Sequence, residues 1–122
     1  MNDKKLGRVN EEIRRILSDA ILSELKDPRI DLMTTVVEVK TSRDLQYTTV
    51  FLAVPEGDNR ETETLEGLES AKGFLRKQIA EKLDLRIVPE IRIKIDHRLR
   101  DAMRMTELID KVRAEDRRRG LE

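Results

Sequence analysis

The chain has 122 residues, 38% hydrophobic and 41% charged, with 25 basic residues against 25 acidic ones and no cysteine. This length predicts one domain with a single core, and the lack of cysteine excludes disulfides and CxxC-type zinc sites and fits a reducing compartment, the cytoplasm. No apolar run reaches the length of a membrane span, and Met1-Asn2-Asp3-Lys4-Lys5 leads into an amphipathic segment rather than a signal-peptide core.

Residues 8–26 are predicted to be helical. Val9, Ile13, Ile16, Leu17, Ala20, Ile21 and Leu25 recur at spacings of three and four and make one apolar face, with Arg8, Arg14 and Arg15 off it. Asp27-Pro28 ends this helix, because the residue before proline is pushed out of the helical region. Residues 33–41 and 46–54 are rich in β-branched side chains and read as strands. The short Ser42-Arg43-Asp44 turn makes them an antiparallel hairpin. Valines on both faces leave open which face is buried. Pro55 to Asn59 is a loop. A helix over 60–72, with Leu65, Leu68 and Ala71 inward, is interrupted at Gly73, and a second helical stretch covers 74–83. Residues 90–96 alternate strictly, sending Ile91, Ile93 and Ile95 to the core and Arg92 and Lys94 outward. A short C-terminal helix over 98–114 carries Ala102, Met105, Ile109 and Val112 on one side. Residues 115–122 are expected to be a mobile charged tail, which makes 1–114 the domain. The order αββααβ predicts an α+β fold, a three-stranded sheet with helices on one face.

The neutral sum hides an uneven distribution. Residues 54–71 hold one basic residue and six acidic ones, residues 72–119 hold fifteen basic and nine acidic, and the first 53 balance. A neutral chain arranged this way can still present a positive surface.

Few residues offer catalysis. His97 is the single histidine and has no cysteine or second histidine to join in a metal site. Asp96 is expected to cap the following helix. Ser70 lacks a nearby base, no glycine-rich phosphate cradle is present, and Glu61, Glu63, Glu66 and Glu69 fall at the spacing of a solvated helix face. The chain therefore reads as a non-enzyme that needs no cofactor and no metal. RNA binding has three supports: Lys72-Gly73 between two helical stretches, followed by Arg76 and Lys77; Arg92 and Lys94 on the outer side of the third strand; and Arg86 just before that strand. Tyr47, Phe51 and Phe74 are the only aromatic residues. Their scarcity argues against base-stacking platforms and for recognition of phosphates and RNA shape.

Several segments together resemble a known family. Arg8-Val9-Asn10-Glu11-Glu12-Ile13, Asp27-Pro28-Arg29-Ile30, Val37-Glu38-Val39-Lys40-Thr41-Ser42-Arg43-Asp44-Leu45, Leu85-Arg86-Ile87-Val88-Pro89-Glu90-Ile91, Asp96 and Met103-Arg104-Met105 are similar, in order and spacing, to bacterial ribosome-binding factor A. The resemblance runs from about residue 6 to about 112. It implies a type II KH-like fold in which an AxG interruption, here Ala71-Lys72-Gly73, replaces the GxxG loop of ordinary KH domains. It also implies binding to the immature small (30S) ribosomal subunit and its rRNA, support for processing of the 16S rRNA 5′ end, a role in cold adaptation, a functional link to an assembly GTPase, and a monomeric cytoplasmic protein without membrane contact. On this reading Arg76, Lys77, Arg92 and Lys94 contact phosphates, Lys72 and Gly73 allow close approach, and Arg8 and Arg86 flank the site. Two rivals stand beside it: a protein-interaction module that docks on a ribosomal protein or the GTPase without touching RNA, and a small nuclease built on Asp96.

Overall fold

The computed structural model describes residues 2–120, with backbone alone at Leu99. Helix α1 spans Asp3–Asp19, starting earlier than its apolar stripe predicted. The reason is Asn2, whose side-chain oxygen accepts the Lys5 amide at 2.9 Å and caps the first turn. The helix then widens into a π-helical turn, Ala20–Glu24, where the Leu25 amide bonds the Ala20 carbonyl five residues back. Leu25 leaves in an extended conformation, ahead of Pro28.

Strands β1 (Thr35–Thr41) and β2 (Tyr47–Ala53) form the expected antiparallel hairpin. Its turn is tied by Ser42, which donates to Asp44 Oδ1 at 2.6 Å and accepts the Tyr47 amide at 3.1 Å. Leu45 takes the left-handed region there, φ 61. The pairing slips at Val37: Val36 opposes Leu52 while Glu38 opposes Phe51, a β-bulge. The bulge lets Val36 and Val39, three apart, both point inward.

Helices α2 (Arg60–Ser70) and α3 (Lys72–Lys82) carry the chain over to β3 (Glu90–Ile95), which pairs parallel with β2, so β2 is central. A parallel partner needs such a crossover. The helix break falls on Ala71 (φ −93, ψ 0), not on Gly73, which sits in the first turn of α3 without positive φ.

The core lies on one face of the sheet. Val36, Val39, Val50, Leu52 and Ile91 pack against Ile13, Ile16, Leu17, Ala20 and Ile21 of the first helix, Leu68 of α2, and Leu75 and Ile79 of α3. This settles the face left open by the valines: Thr48, Val50 and Leu52 point in, Tyr47, Thr49 and Phe51 out. Two buried threonines satisfy each other across the hairpin, Thr41 and Thr48, with oxygens 2.9 Å apart, and the Thr41 amide donates to Asn10 Oδ1.

Helix α4 (Arg98–Arg118) is not short; at 21 residues it is the longest of the four. It runs past residue 114, so the expected domain boundary falls inside a helix, and of the expected tail Leu121 and Glu122 lie outside the described residues. Its predicted inner face is not buried: Met105 is 58% exposed, Ile109 44% and Val112 48%.

Candidate nucleic-acid interface

The eight residues expected to meet RNA do not form one face. Arg92 and Lys94 alternate outward from β3, on the side of the sheet that α1–α3 leave uncovered. Lys72, Gly73, Arg76 and Lys77 ride on α3, across the sheet from them. The two sets approach each other at the edge made by β3. Arg76 reaches from α3 to the segment leading into that strand and donates to the Val88 carbonyl at 2.9 Å, and Arg86 is exposed in the same segment. Arg8 belongs elsewhere: α1 packs over β1, at the opposite edge, so Arg8 does not flank the β3 group.

Part of this charge is already engaged. Lys72 pairs with Glu69 at 2.7 Å and Lys77 with Glu81 at 3.9 Å, both within a helical turn. Such surface pairs contribute little to stability. The break between α2 and α3 is not an open amide cradle, because the Ala71 amide bonds back to the Gly67 and Leu68 carbonyls. A Cβ on Gly73 would meet nothing within 4 Å, so the close approach expected there has open space around it.

The uncovered sheet face holds residues that the sequence reading passed over. Tyr47, Thr49 and Phe51 project from β2, with Arg92 and Lys94 beside them on β3 and Lys40 beside them on β1. The Arg92 guanidinium lies over the Tyr47 ring, 3.9 Å from its centroid, and Lys40 Nζ lies 5.7 Å from that of Phe51. Counting three aromatics argued against a stacking platform, yet two of the three share one surface. The signal was present in their spacing: positions 47 and 51 differ by four, an even number, so on one strand both face the same way.

The base of α4 is a second dense site. Arg98 reaches Asp96 at 2.7 Å and Glu38 at 2.9 Å. Arg100 donates to the Val54 carbonyl at 2.8 Å and to Glu61 at 2.6 Å, and Arg104 pairs with Glu56 at 2.8 Å. The acidic 54–71 region is therefore directed in part at this helix. The Arg98 side chain, the Arg98 amide and the nearby His97 hold Asp96 down at about 2, and Asp96 in turn raises Arg98. Arg100, then His97 at 2.9 Å, holds Glu61 below the usual carboxylate range. Asp96 takes the Arg98 amide as expected of a helix-start residue, but the capping position itself is His97. These partners engage both side chains, Asp96 in an ion pair with Arg98 and His97 in a hydrogen bond with Glu61. No group of three or more metal-ligating side chains stands together among the described residues. Nor is any described helix long and apolar enough to cross a membrane.

A sequence model of the family described as ribosome-binding factor A matches residues 5–109. The chain belongs to the ribosome-binding factor A family. The ribosome-binding factor A of Finegoldia magna is 45% identical over 117 residues, covering 95% of this chain and 97% of the relative. The solution NMR structure of a Thermotoga maritima protein superposes with a TM-score of 0.67 at 33% identity, over 77% of this chain and 89% of that one. Coordinates for the Thermus thermophilus ribosome-binding factor A, fitted into a cryo-EM map of its complex with 30S, share the fold at a TM-score of 0.57 and 24% identity, over 71% of this chain and 90% of that one. The αββααβ arrangement is thus the KH-like fold of ribosome-binding factor A structures.

Proposed function

We propose that this protein binds the small ribosomal subunit during its late maturation, through small-subunit rRNA, and acts without catalysing a reaction. The observation that carries the reading is its family: a 45% identical relative over nearly the whole chain is a ribosome-binding factor, and a protein of the same fold has been fitted into a 30S complex. The cations at the β3 edge, Arg76, Arg86, Arg92 and Lys94, supply a physical means of holding rRNA phosphates, with Lys72, Gly73 and Lys77 on the adjoining helix. A factor that holds a transient rRNA arrangement more tightly than the mature one biases the folding of the subunit toward that arrangement. Support for processing of the 16S rRNA 5′ end, a role in cold adaptation, release helped by an assembly GTPase, and action as a cytoplasmic monomer belong to the same reading.

The test is binding to immature and mature small subunits as a function of salt. Each phosphate contact contributes roughly 0.9 to the log–log salt slope on duplex and 0.7 on single-stranded nucleic acid. The double variant Arg76→Glu, Lys77→Glu and the double variant Arg92→Glu, Lys94→Glu are each expected to weaken binding to immature subunits and to flatten that slope by about one to two. Wild-type protein that binds neither subunit, or both variants matching wild type in affinity and slope, would overturn the reading.

A second reading has one observation in its favour. Met105, Leu108, Ile109 and Val112 leave an apolar stripe exposed on α4, as a helix does when it waits for a protein partner. On that reading the protein docks on a ribosomal protein or the GTPase, and purified protein-free rRNA fails to bind it.

A further inference from the structure

We infer that the uncovered face of the sheet is a stacking surface for unpaired nucleotides of single-stranded RNA, with Tyr47, Phe51 and the Arg92 guanidinium as its platforms and Lys40 and Lys94 as its phosphate contacts. The inference rests on the reading of this chain as an RNA binder and names a surface for it.

The geometry comes from strand physics. Tyr47 and Phe51 stand two pleat repeats apart on the central strand, about 13 Å along it. Between them, Thr49 is flanked by Lys40 on one side and Arg92 on the other. The next row across the sheet reads Glu38, Phe51, Lys94. Rings and cations therefore interleave rather than segregate. Unpaired bases are bound by this combination, because every base has a π-face that stacks on an aromatic ring or on a guanidinium plane while its phosphate seeks a cation. Arg92 already lies over Tyr47, so the outermost layer there is a planar guanidinium held in place by the ring.

Charge and composition select the occupant. The acidic residues that the strands send to this face are Glu38, engaged by Arg98 and Lys40, and Glu90, at the far end beside Tyr47; Asp96, next in the alternation beyond β3, is engaged by Arg98. Lys94 has no ion pair among the described residues. Among the residues of the three strands, Val37 and Ala53 are the aliphatic side chains on this face, a small apolar area for a protein partner. The apolar surface a protein would seek is on α4 instead.

The protein carries its own probe. Tyr47 is the sole tyrosine and there is no tryptophan, so tyrosine emission reports from this face alone. Single-stranded oligoadenylate and oligouridylate of about eight nucleotides, a duplex RNA of the same length, and polyphosphate are titrated into the full chain. Saturable change of Tyr47 emission with the single strands, and not with polyphosphate, is expected. Phe51→Leu and Arg92→Lys, which keep the apolar bulk and the charge respectively, should each weaken single-strand binding by roughly tenfold. Far-UV circular dichroism verifies that both variants are folded. Equal responses to polyphosphate and to the single strands, or both variants binding the single strands as wild type does, would overturn the inference. The same proteins are measured on immature small subunits. Wild type that binds subunits but leaves oligonucleotides alone overturns the stacking surface and spares the proposed function. Wild type that stacks oligonucleotides but ignores subunits does the reverse.

Discussion

Gly67 is buried where α2 crosses the segment that follows the first helix, and a Cβ there would come within 2.7 Å of Ile30 Cγ1 and 3.4 Å of both Arg29 Cβ and Asp27 Oδ2. The same junction is pinned by Thr64, fully buried, whose hydroxyl accepts the Asp31 amide at 3.2 Å, and by the ion pair of Arg60 with Asp31. Gly67→Ala is therefore expected to destabilise the protein by about 1–3 kcal/mol. Gly73→Ala is expected to stabilise it by about 0.5–1 kcal/mol, since the position is helical and open. Thermal melts of the two variants should move in opposite directions. Composition gave no way to tell these glycines apart. Gly67 lies inside the predicted 60–72 helix and Gly73 at its predicted end, and the difference between them lies in what packs over them. Gly73 drew attention as a breaker, while the break itself fell on Ala71, a residue whose propensity argues for continuing the helix.

Among the elements, α4 departs most from its prediction. Its periodicity is that of a packed amphipathic helix, yet its apolar stripe stays exposed, and arginines at its first two turns fasten it instead. Periodicity records that a face is apolar, not whether this chain supplies the cover. The arginine anchors are not legible in the sequence, because their acceptors, Glu38, Val54, Glu56 and Glu61, are distant along the chain. Fastening by charge makes the helix base sensitive to acid. Asp96 holds its proton at about 2 in the folded chain against an ordinary 3.8, so below about pH 4 the unfolded chain takes up the proton first. The stability contributed by this group is full above about 4 and is lost as the pH falls toward 2. Glu61, lowered in the same sense, adds to the effect. Melting temperature should therefore drop as the pH is lowered across that window, and Asp96→Asn should reduce the slope there.

At the scale of the whole molecule, the sheet and its one covered face were legible because three strands and three helices announce themselves by period. The interior isoleucines of β3, the β-branched hairpin and the stripe of α1 all took the places expected of them. The parallel pairing of β2 with β3 follows from the two-helix connection between them. The distribution of the cations was less legible. Outward on a strand and outward on a helix are different sides of a layered fold, so residues read as one patch divided between two surfaces that meet at the β3 edge. Leu52 tests whether the layers stand or fall together. It is completely buried on the central strand, so Leu52→Ala should cost about 2–5 kcal/mol. Probes of the helices and of Tyr47 emission on the opposite face should report one coincident transition.

The slip at Val37 matters beyond the two valines it brings inward. β1 is an outer strand whose far margin pairs with no other strand among the described residues, although Asn10 takes its Thr41 amide. Kept in strict alternation from Val36 onward, its seven residues would turn Glu38 and Lys40 toward the hydrophobic interior. The extra residue corrects that parity, and it bends the margin out of the straight line that a strand from another molecule would need for pairing. One local irregularity thus keeps charge out of the interior and discourages the protein from growing, edge upon edge, into fibrils.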